Sequence, residues 1–231
     1  MKKTKKYELI LFDADDTLFD YKASEEITLK ATLAKYKAQK NDHHSYYLRY
    51  KQINHQMWQK FSQNQITLQE LRTTRYEILL AQEPHINIVD FSEDYVKKFA
   101  ECSHLLENAW EICSYLKQNY KIGIVTNGIT YTQKIRLKNS ALYPLIDFMI
   151  IAEEVGIAKP NPKIFEIACQ KAGHQNKNTI IMIGDSLECD IQGGIDFGID
   201  TCWMNPEKTK NATKHKPNYE ISNLKELLNF L

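Results

Sequence analysis

The sequence predicts an α/β fold: a Rossmann-like parallel sheet with helices on both faces, interrupted by an inserted all-α unit of about four helices. Three observations predict it. A short apolar run at residues 7–12 stops at a cluster of aspartates. Residues 24–103 contain no glycine and a single proline, Pro84, and their apolar residues recur at helical spacing. From there to the last residue, strand-like and helix-like segments alternate.

Each element follows from its own stretch. Residues 7–12 (YELILF) are rich in strand formers and read as a buried strand that delivers acidic side chains at its C-terminal end. The helical sets are Ile27, Leu29, Leu33 and Tyr36; then Tyr46, Tyr50, Ile53, Met57, Trp58 and Phe61. Leu68, Leu71, Tyr76, Leu79 and Leu80 follow, and Phe91, Tyr95 and Phe99 close the series. Four packed helices accommodate them. Beyond this unit, helices are expected over 108–118, 130–139, 162–172, 191–197 and 224–231, and strands over 121–126, 148–152, 179–184 and 201–204. Such alternation implies right-handed βαβ units and a parallel sheet that also takes in residues 7–12. The expected division is 1–20 with 104–231 for the sheet domain and 21–103 for the helical insertion.

Composition narrows the class. A formal net charge of +1 over 231 residues gives no global attraction to a nucleic acid polymer or a membrane surface. The basic clusters at Lys2, Lys3, Lys5 and Lys6 and at Lys208, Lys210, Lys214 and Lys216 read as a solvated terminus and loop. No stretch approaches the roughly 20 apolar residues that span a bilayer, and the first residues lack the apolar core of a signal peptide. The five cysteines are odd in number and never form C-x-x-C, which argues against a disulfide framework or zinc site and for a reducing compartment. A cytoplasmic protein is expected, as a monomer or loose dimer.

Ligands of an open parallel sheet collect beyond the carboxyl ends of its strands. Those ends carry Asp13 and Asp15, then Thr126 and Asn127, then Asp185, while Lys159 stands in a loop that Pro160 and Pro162 hold out of helix. These groups suit phosphoryl transfer assisted by magnesium. Mg²⁺ takes hard oxygen ligands and needs only one or two carboxylates besides the phosphate, and Asp13 and Asp185 can supply them. A carboxylate attacking a phosphate dianion meets repulsion of ~4 kcal/mol per charge pair at 4 Å in an effective dielectric near 20. The metal and Lys159 offset it. Asp13 is expected ionised, as an aspartate titrating near ~3.9, and acts as the nucleophile. Asp15 protonates the leaving alcohol and then activates the hydrolytic water.

The segments Asp13-Ala14-Asp15-Asp16-Thr17-Leu18, Thr126-Asn127-Gly128, Lys159-Pro160 and Gly184-Asp185-Ser186 with Asp190 resemble the four ordered motifs of the haloacid dehalogenase-like superfamily. The resemblance covers the whole chain, and the helical insertion looks like the C1 cap of that superfamily. It implies that Asp13 is the nucleophile and Asp15 the acid/base, and that Thr126, the Asn127 amide and Lys159 hold the phosphate. It also implies that Asp13, Asp185 and the backbone carbonyl of Asp15 bind Mg²⁺, and that Asp190 supports the metal indirectly. Many members carry glycine where this chain has Asp16, so the loop after the nucleophile must do without glycine's freedom.

A fold of this kind hosts several chemistries. The dehalogenases lack a carboxylate at the position of Asp15, which makes this chain resemble the phosphate enzymes. The run from Asp13 to Asp20, with Glu153-Glu154-Val155-Gly156 and Gly184-Asp185-Ser186-Leu187, is similar to the bacterial pyrimidine 5′-nucleotidase branch. The substrate so implied is a small phosphorylated metabolite, a nucleoside 5′-monophosphate with pyrimidines favoured. The alternatives are a phosphatase of sugar phosphates or N-acylneuraminate 9-phosphate, a phosphomutase, and a non-catalytic binding module. In the helical unit, aromatics such as Trp58, Tyr46, Tyr47 and Tyr50 read as core rather than as a base-stacking platform; Phe19 and Tyr21, just past the nucleophile, are better placed to touch substrate.

Overall fold

Residues Leu9–Phe12 form β1, and all four side chains are fully buried. Ile10 and Phe12 enter one apolar core and Leu9 and Leu11 the other, the period-two division expected of a strand covered on both faces. Its neighbours are β2 (Lys121–Thr126) and β4 (Ile180–Gly184), with β3 (Phe148–Ile151), β5 (Asp200–Met204) and β6 (Tyr219–Ile221) completing the sheet. All pairings are parallel, in the order β3-β2-β1-β4-β5-β6, with Leu9 opposite both Lys121 and Ile180. The computed structural model describes residues 7–36, 43–63 and 65–231, so the cluster Lys2, Lys3, Lys5 and Lys6 lies outside the described residues. Two compact units emerge: Met1–Tyr21 with Ser103–Leu231, and Lys22–Cys102.

Helices α1 (Tyr21–Lys35), α2 (His43–Ser62), α3 (Leu68–Leu79) and α4 (Ile88–Glu101) make up the helical stretch. Thr67 and Glu70 cap α3 reciprocally, and the Asn87 side chain accepts from the first amides of α4. The apolar pattern of α1 is looser than its sequence implies. Ile27 is exposed, while the buried face carries Ser24, Glu25, Thr28 and Thr32 beside Leu29 and Leu33. Those polar groups belong to a buried chain. Asn54 Nδ2 donates to Glu25 Oε1 at 2.7 Å, and Arg75 Nη1 donates to Asn54 Oδ1 at 2.8 Å. The Arg75 guanidinium lies 4.8 Å from the Tyr76 ring and 5.6 Å from that of Tyr95, and Tyr50 stacks on Tyr76. Tyr50 is thus core, whereas Tyr46 and Trp58 are half-buried.

In the sheet unit, α5 (Ala109–Leu116) packs Ala109, Ile112, Cys113 and Leu116 into the core that holds Ile10 and Phe12. α6 (Thr130–Asn139) follows β2, and the short α7 (Ala152–Val155) follows β3. α8 (Pro162–Ala172) buries Ile164, Phe165, Ala168 and Cys169 in the opposite core, so the sheet is covered on both faces. Asn161 caps α8 and Pro162 opens it. α9 (Gln192–Phe197) lies where a helix over 191–197 is expected, and a π-type turn, Leu187–Ile191, leads into it. The closing segment Leu224–Asn229 winds as a 3₁₀ helix capped by Asn223 and Glu226. Among the described residues, no helix is long and apolar enough to cross a membrane.

Candidate active site

β1 is flanked by β2 and β4, so strand order reverses about it and a crevice opens beyond its carboxyl end. Asp13 follows β1, Thr126 ends β2 and Asp185 follows β4. Three neighbouring strands therefore each deliver one candidate residue to the same edge.

Lys159 reaches into this edge from the loop before α8 and is only 2% exposed. Its ammonium donates to Asp13 Oδ1 at 2.5 Å, to Asp190 Oδ1 at 2.6 Å and to the Val125 carbonyl at 2.7 Å, which uses all three of its hydrogens. Its main chain is fixed by Asn127, whose Nδ2 donates to the Lys159 carbonyl at 2.9 Å and whose Oδ1 accepts the Lys159 amide at 2.8 Å. Asp190 is held in turn by the Ser186 amide, 3.0 Å from Oδ2. The π-type turn carries Asp190 back over Gly184, where any Cβ would collide with the Asp190 carboxylate. The Trp203 indole donates to the Asp185 carbonyl at 2.9 Å and fixes the backbone there.

Asp13, Asp185 and Asp190 each place a carboxylate oxygen within 4.8 Å of the others. This group contains neither imidazole nor thiolate, so its donors suit a hard divalent cation such as Mg²⁺. Charge crowding at the site points the same way. Asp13, expected at the ordinary aspartate value, is lifted to about 7 in the protein alone by burial, against the pull of Lys159 and with Asp190 and Asp15 adding to the rise. Burial, then Asp13, Asp190 and Asp16, hold Asp185 well above the usual range. Burial opposes the charge on Lys159, but Asp13 and Asp190 outweigh it and keep the ammonium above the ordinary lysine range. A cation beside these carboxylates reverses the balance in favour of their ionised forms.

The Asp15 side chain lies outside this three-carboxylate group. Its Oδ2 accepts from Gln133 Nε2 at 2.6 Å and its Oδ1 from Arg136 Nη1. Neither partner was legible in the sequence, because α6 reads as a polar helix and its buried face, Thr132, Gln133, Arg136 and Leu137, is mostly polar. The one available signal is the spacing of Gln133 and Arg136, which puts both on one helical face. Phe19, a sequence candidate for substrate contact, is instead fully buried with the Arg136 guanidinium 4.7 Å from its ring. Asp16 adopts φ 55°, the left-handed conformation that the common glycine would take freely. Aspartate tolerates it better than most residues, and the Asp16 amide closes the turn on the Phe19 carbonyl at 2.8 Å.

Family and relatives make this chain a hydrolase of the phosphoric monoester class. The family profile described as haloacid dehalogenase-like hydrolase matches residues 7–198, and the chain belongs to that family. It is 34% identical to YfnB of Bacillus subtilis, with 98% of this chain and 96% of YfnB covered. It is 32% identical to the pyrimidine 5′-nucleotidase YjjG of Escherichia coli, covering 96% of each. The pyrimidine 5′-nucleotidase PynA of Streptococcus pneumoniae is 33% identical, with 97% of this chain and 95% of PynA covered. The crystal structure of YfnB bound to magnesium superposes with a TM-score of 0.90, covering 97% of this chain and 98% of that one at 32% identity.

Proposed function

We propose that this protein hydrolyses a nucleoside 5′-monophosphate, pyrimidine nucleotides favoured, through a phosphate ester of Asp13. The observation that carries the reaction is the buried pairing of Asp13 with Lys159 at the end of the central strand. An Asp13 oxygen attacks phosphorus, forming an Asp13 O–P bond as the P–O bond to the alcohol breaks, and Asp15 passes its proton to the departing oxygen. Water then attacks phosphorus and gives its proton to Asp15, and the bond to Asp13 breaks to release inorganic phosphate. The Thr126 hydroxyl accepts from the Gly128 amide at 3.1 Å, which leaves its hydrogen to donate to a phosphate oxygen. The Asn127 amide completes the phosphate cradle, the Lys159 ammonium adds its positive charge beside it, and Asp190 steadies Lys159.

Mg²⁺ held by the carboxylates of Asp13 and Asp185 and the carbonyl of Asp15 supplies positive charge against the phosphate and the attacking carboxylate. The acidic group at the site and the magnesium in the YfnB structure support that choice of ion. The nucleotide assignment rests on the two near-full-length relatives named pyrimidine 5′-nucleotidases. Lys22–Cys102 is assigned as the cap that selects the leaving group.

Asp13→Asn is expected to abolish turnover of p-nitrophenyl phosphate while the protein stays folded and still binds phosphate with Mg²⁺; hydrolysis at the wild-type rate would overturn the mechanism. A panel of nucleoside monophosphates and sugar phosphates tests the substrate. Preference for the sugar phosphates would sink the nucleotide assignment.

A further inference from the structure

We propose that Gln133 and Arg136 are positioning residues that aim the Asp15 carboxylate at the leaving oxygen. The inference rests on the acid/base role assigned to Asp15 above. Both side chains lie on one face of α6, are at most 1% exposed, and reach opposite oxygens of the same carboxylate. An ionised carboxylate only accepts, so the Gln133 amide must present its nitrogen there. The Gln133 amide oxygen has no hydrogen-bond partner among the described residues, so Asp15 alone orients the group.

Two further features serve the same clamp. A Cβ at Gly128 would collide with the Gln133 side chain, so the glycine after Thr126 and Asn127 is what admits Gln133 to its place. Phe19, paired with Asp15 through a backbone bridge, supports the Arg136 guanidinium on its ring. The turn after the nucleophile thus supplies both the carboxylate and the platform beneath its clamp.

A carboxylate offers about four lone-pair sites. Two donors occupy one on each oxygen and leave one on each to carry the proton to the leaving oxygen and later to accept it from water. Fixing two of the four sites sets the direction of the others. The clamp therefore acts through Asp15, and its loss is felt where the leaving group most needs a proton.

Gln133→Met keeps the side-chain length and removes the donor. Steady-state kinetics would compare p-nitrophenyl phosphate, whose leaving group departs without much help, with the alkyl phosphate turned over fastest in the panel. The expected result is a fall of about 10- to 100-fold in kcat for the alkyl phosphate, the range for a hydrogen bond to a charged group. KM should be unchanged and the loss for the aryl phosphate much smaller. Arg136→Lys, which retains a cation but not the fork, should show the same split to a lesser degree, and it serves as the measurement if Gln133→Met fails to unfold cooperatively. Equal losses on both substrates, or an unchanged alkyl-to-aryl ratio, would overturn the proposal. Asp15→Asn separates the two levels. If it shows the split and the clamp variants do not, only the positioning proposal fails; if it shows none, the acid role of Asp15 fails and the clamp proposal with it.

Discussion

Asn127 and Lys159 exchange a pair of hydrogen bonds, side-chain amide to main chain in both directions, at 2.8 and 2.9 Å. One asparagine side chain thereby fixes the loop from which the Lys159 ammonium projects, and ties it to the end of β2. Residues 32 apart in sequence are locked at the distance that lets the ammonium meet Asp13.

Asn127→Ala should lower both stability and turnover. The Lys159 amide and carbonyl lose their partners, at about 1–3 kcal/mol for an unpaired buried group. Thermal unfolding should show the lower midpoint. Steady-state kinetics with p-nitrophenyl phosphate should show a kcat/KM reduced about 10-fold or more, as displacement of the ammonium would give.

Lys159→Met removes a side chain that pairs with both Asp13 and Asp190. Breaking a buried charge pair on one side destabilises by about 3–5 kcal/mol. Added Mg²⁺ should then raise the unfolding midpoint by more in the variant than in the wild type, because the ion becomes the main local countercharge. An equal magnesium shift in both proteins would contradict the placement of the ion beside Asp13.

Gly184→Ala should be among the most damaging one-carbon changes in the chain. The added methyl meets the Asp190 carboxylate, and forced overpacking costs about 1–3 kcal/mol. Displacing Asp190 also frees Lys159 on one side. The expected outcome is a lower unfolding midpoint together with weaker Mg²⁺ binding, measured by calorimetric titration of the folded protein.

Asp94, in the helical unit, provides a pH test of its own. The Lys35 ammonium and the Tyr36 hydroxyl beside it hold its carboxyl below the usual range. A depressed folded value means that the unfolded chain binds the proton more readily. The contribution to stability is therefore present above the unfolded value of ~3.9 and is lost as pH falls through the folded one. Asp94→Asn should lower the unfolding midpoint at pH 7, and the gap from wild type should close towards pH 3.

The structure also separates what a linear pattern can carry from what it cannot. Lys121–Thr126, Thr130–Asn139 and Pro162–Ala172 have the limits expected from their residues. Local chemistry sets these ends: Asn127-Gly128 stops β2, Asn161 and Pro162 start α8, and Gly173 at φ 64° ends it. β6 escaped notice because three residues, Tyr219–Ile221, are too few to show a period and gain their strand character only by pairing with β5. α7, four residues long, escaped for the same reason. At the candidate site, the convergence of Asp13, Thr126 and Asp185 was legible because parallel strands end on a common edge. Gln133, Arg136 and Trp203 were not, since their contacts with Asp15 and Asp185 depend on how a helix and a neighbouring strand pack in space.

The buried chain Glu25–Asn54–Arg75 has a consequence for anyone wishing to re-engineer the helical unit. Its members come one each from α1, α2 and α3, and Tyr95 of α4 lies beside the guanidinium. Such a set behaves as a keyed assembly rather than an oily one. Exchanging a single helix for one from a relative would strand a charge or an amide on the helices left behind. Grafts that aim at new substrates should therefore transplant all four helices together, or change only outward-facing positions such as Ile27 and Val89.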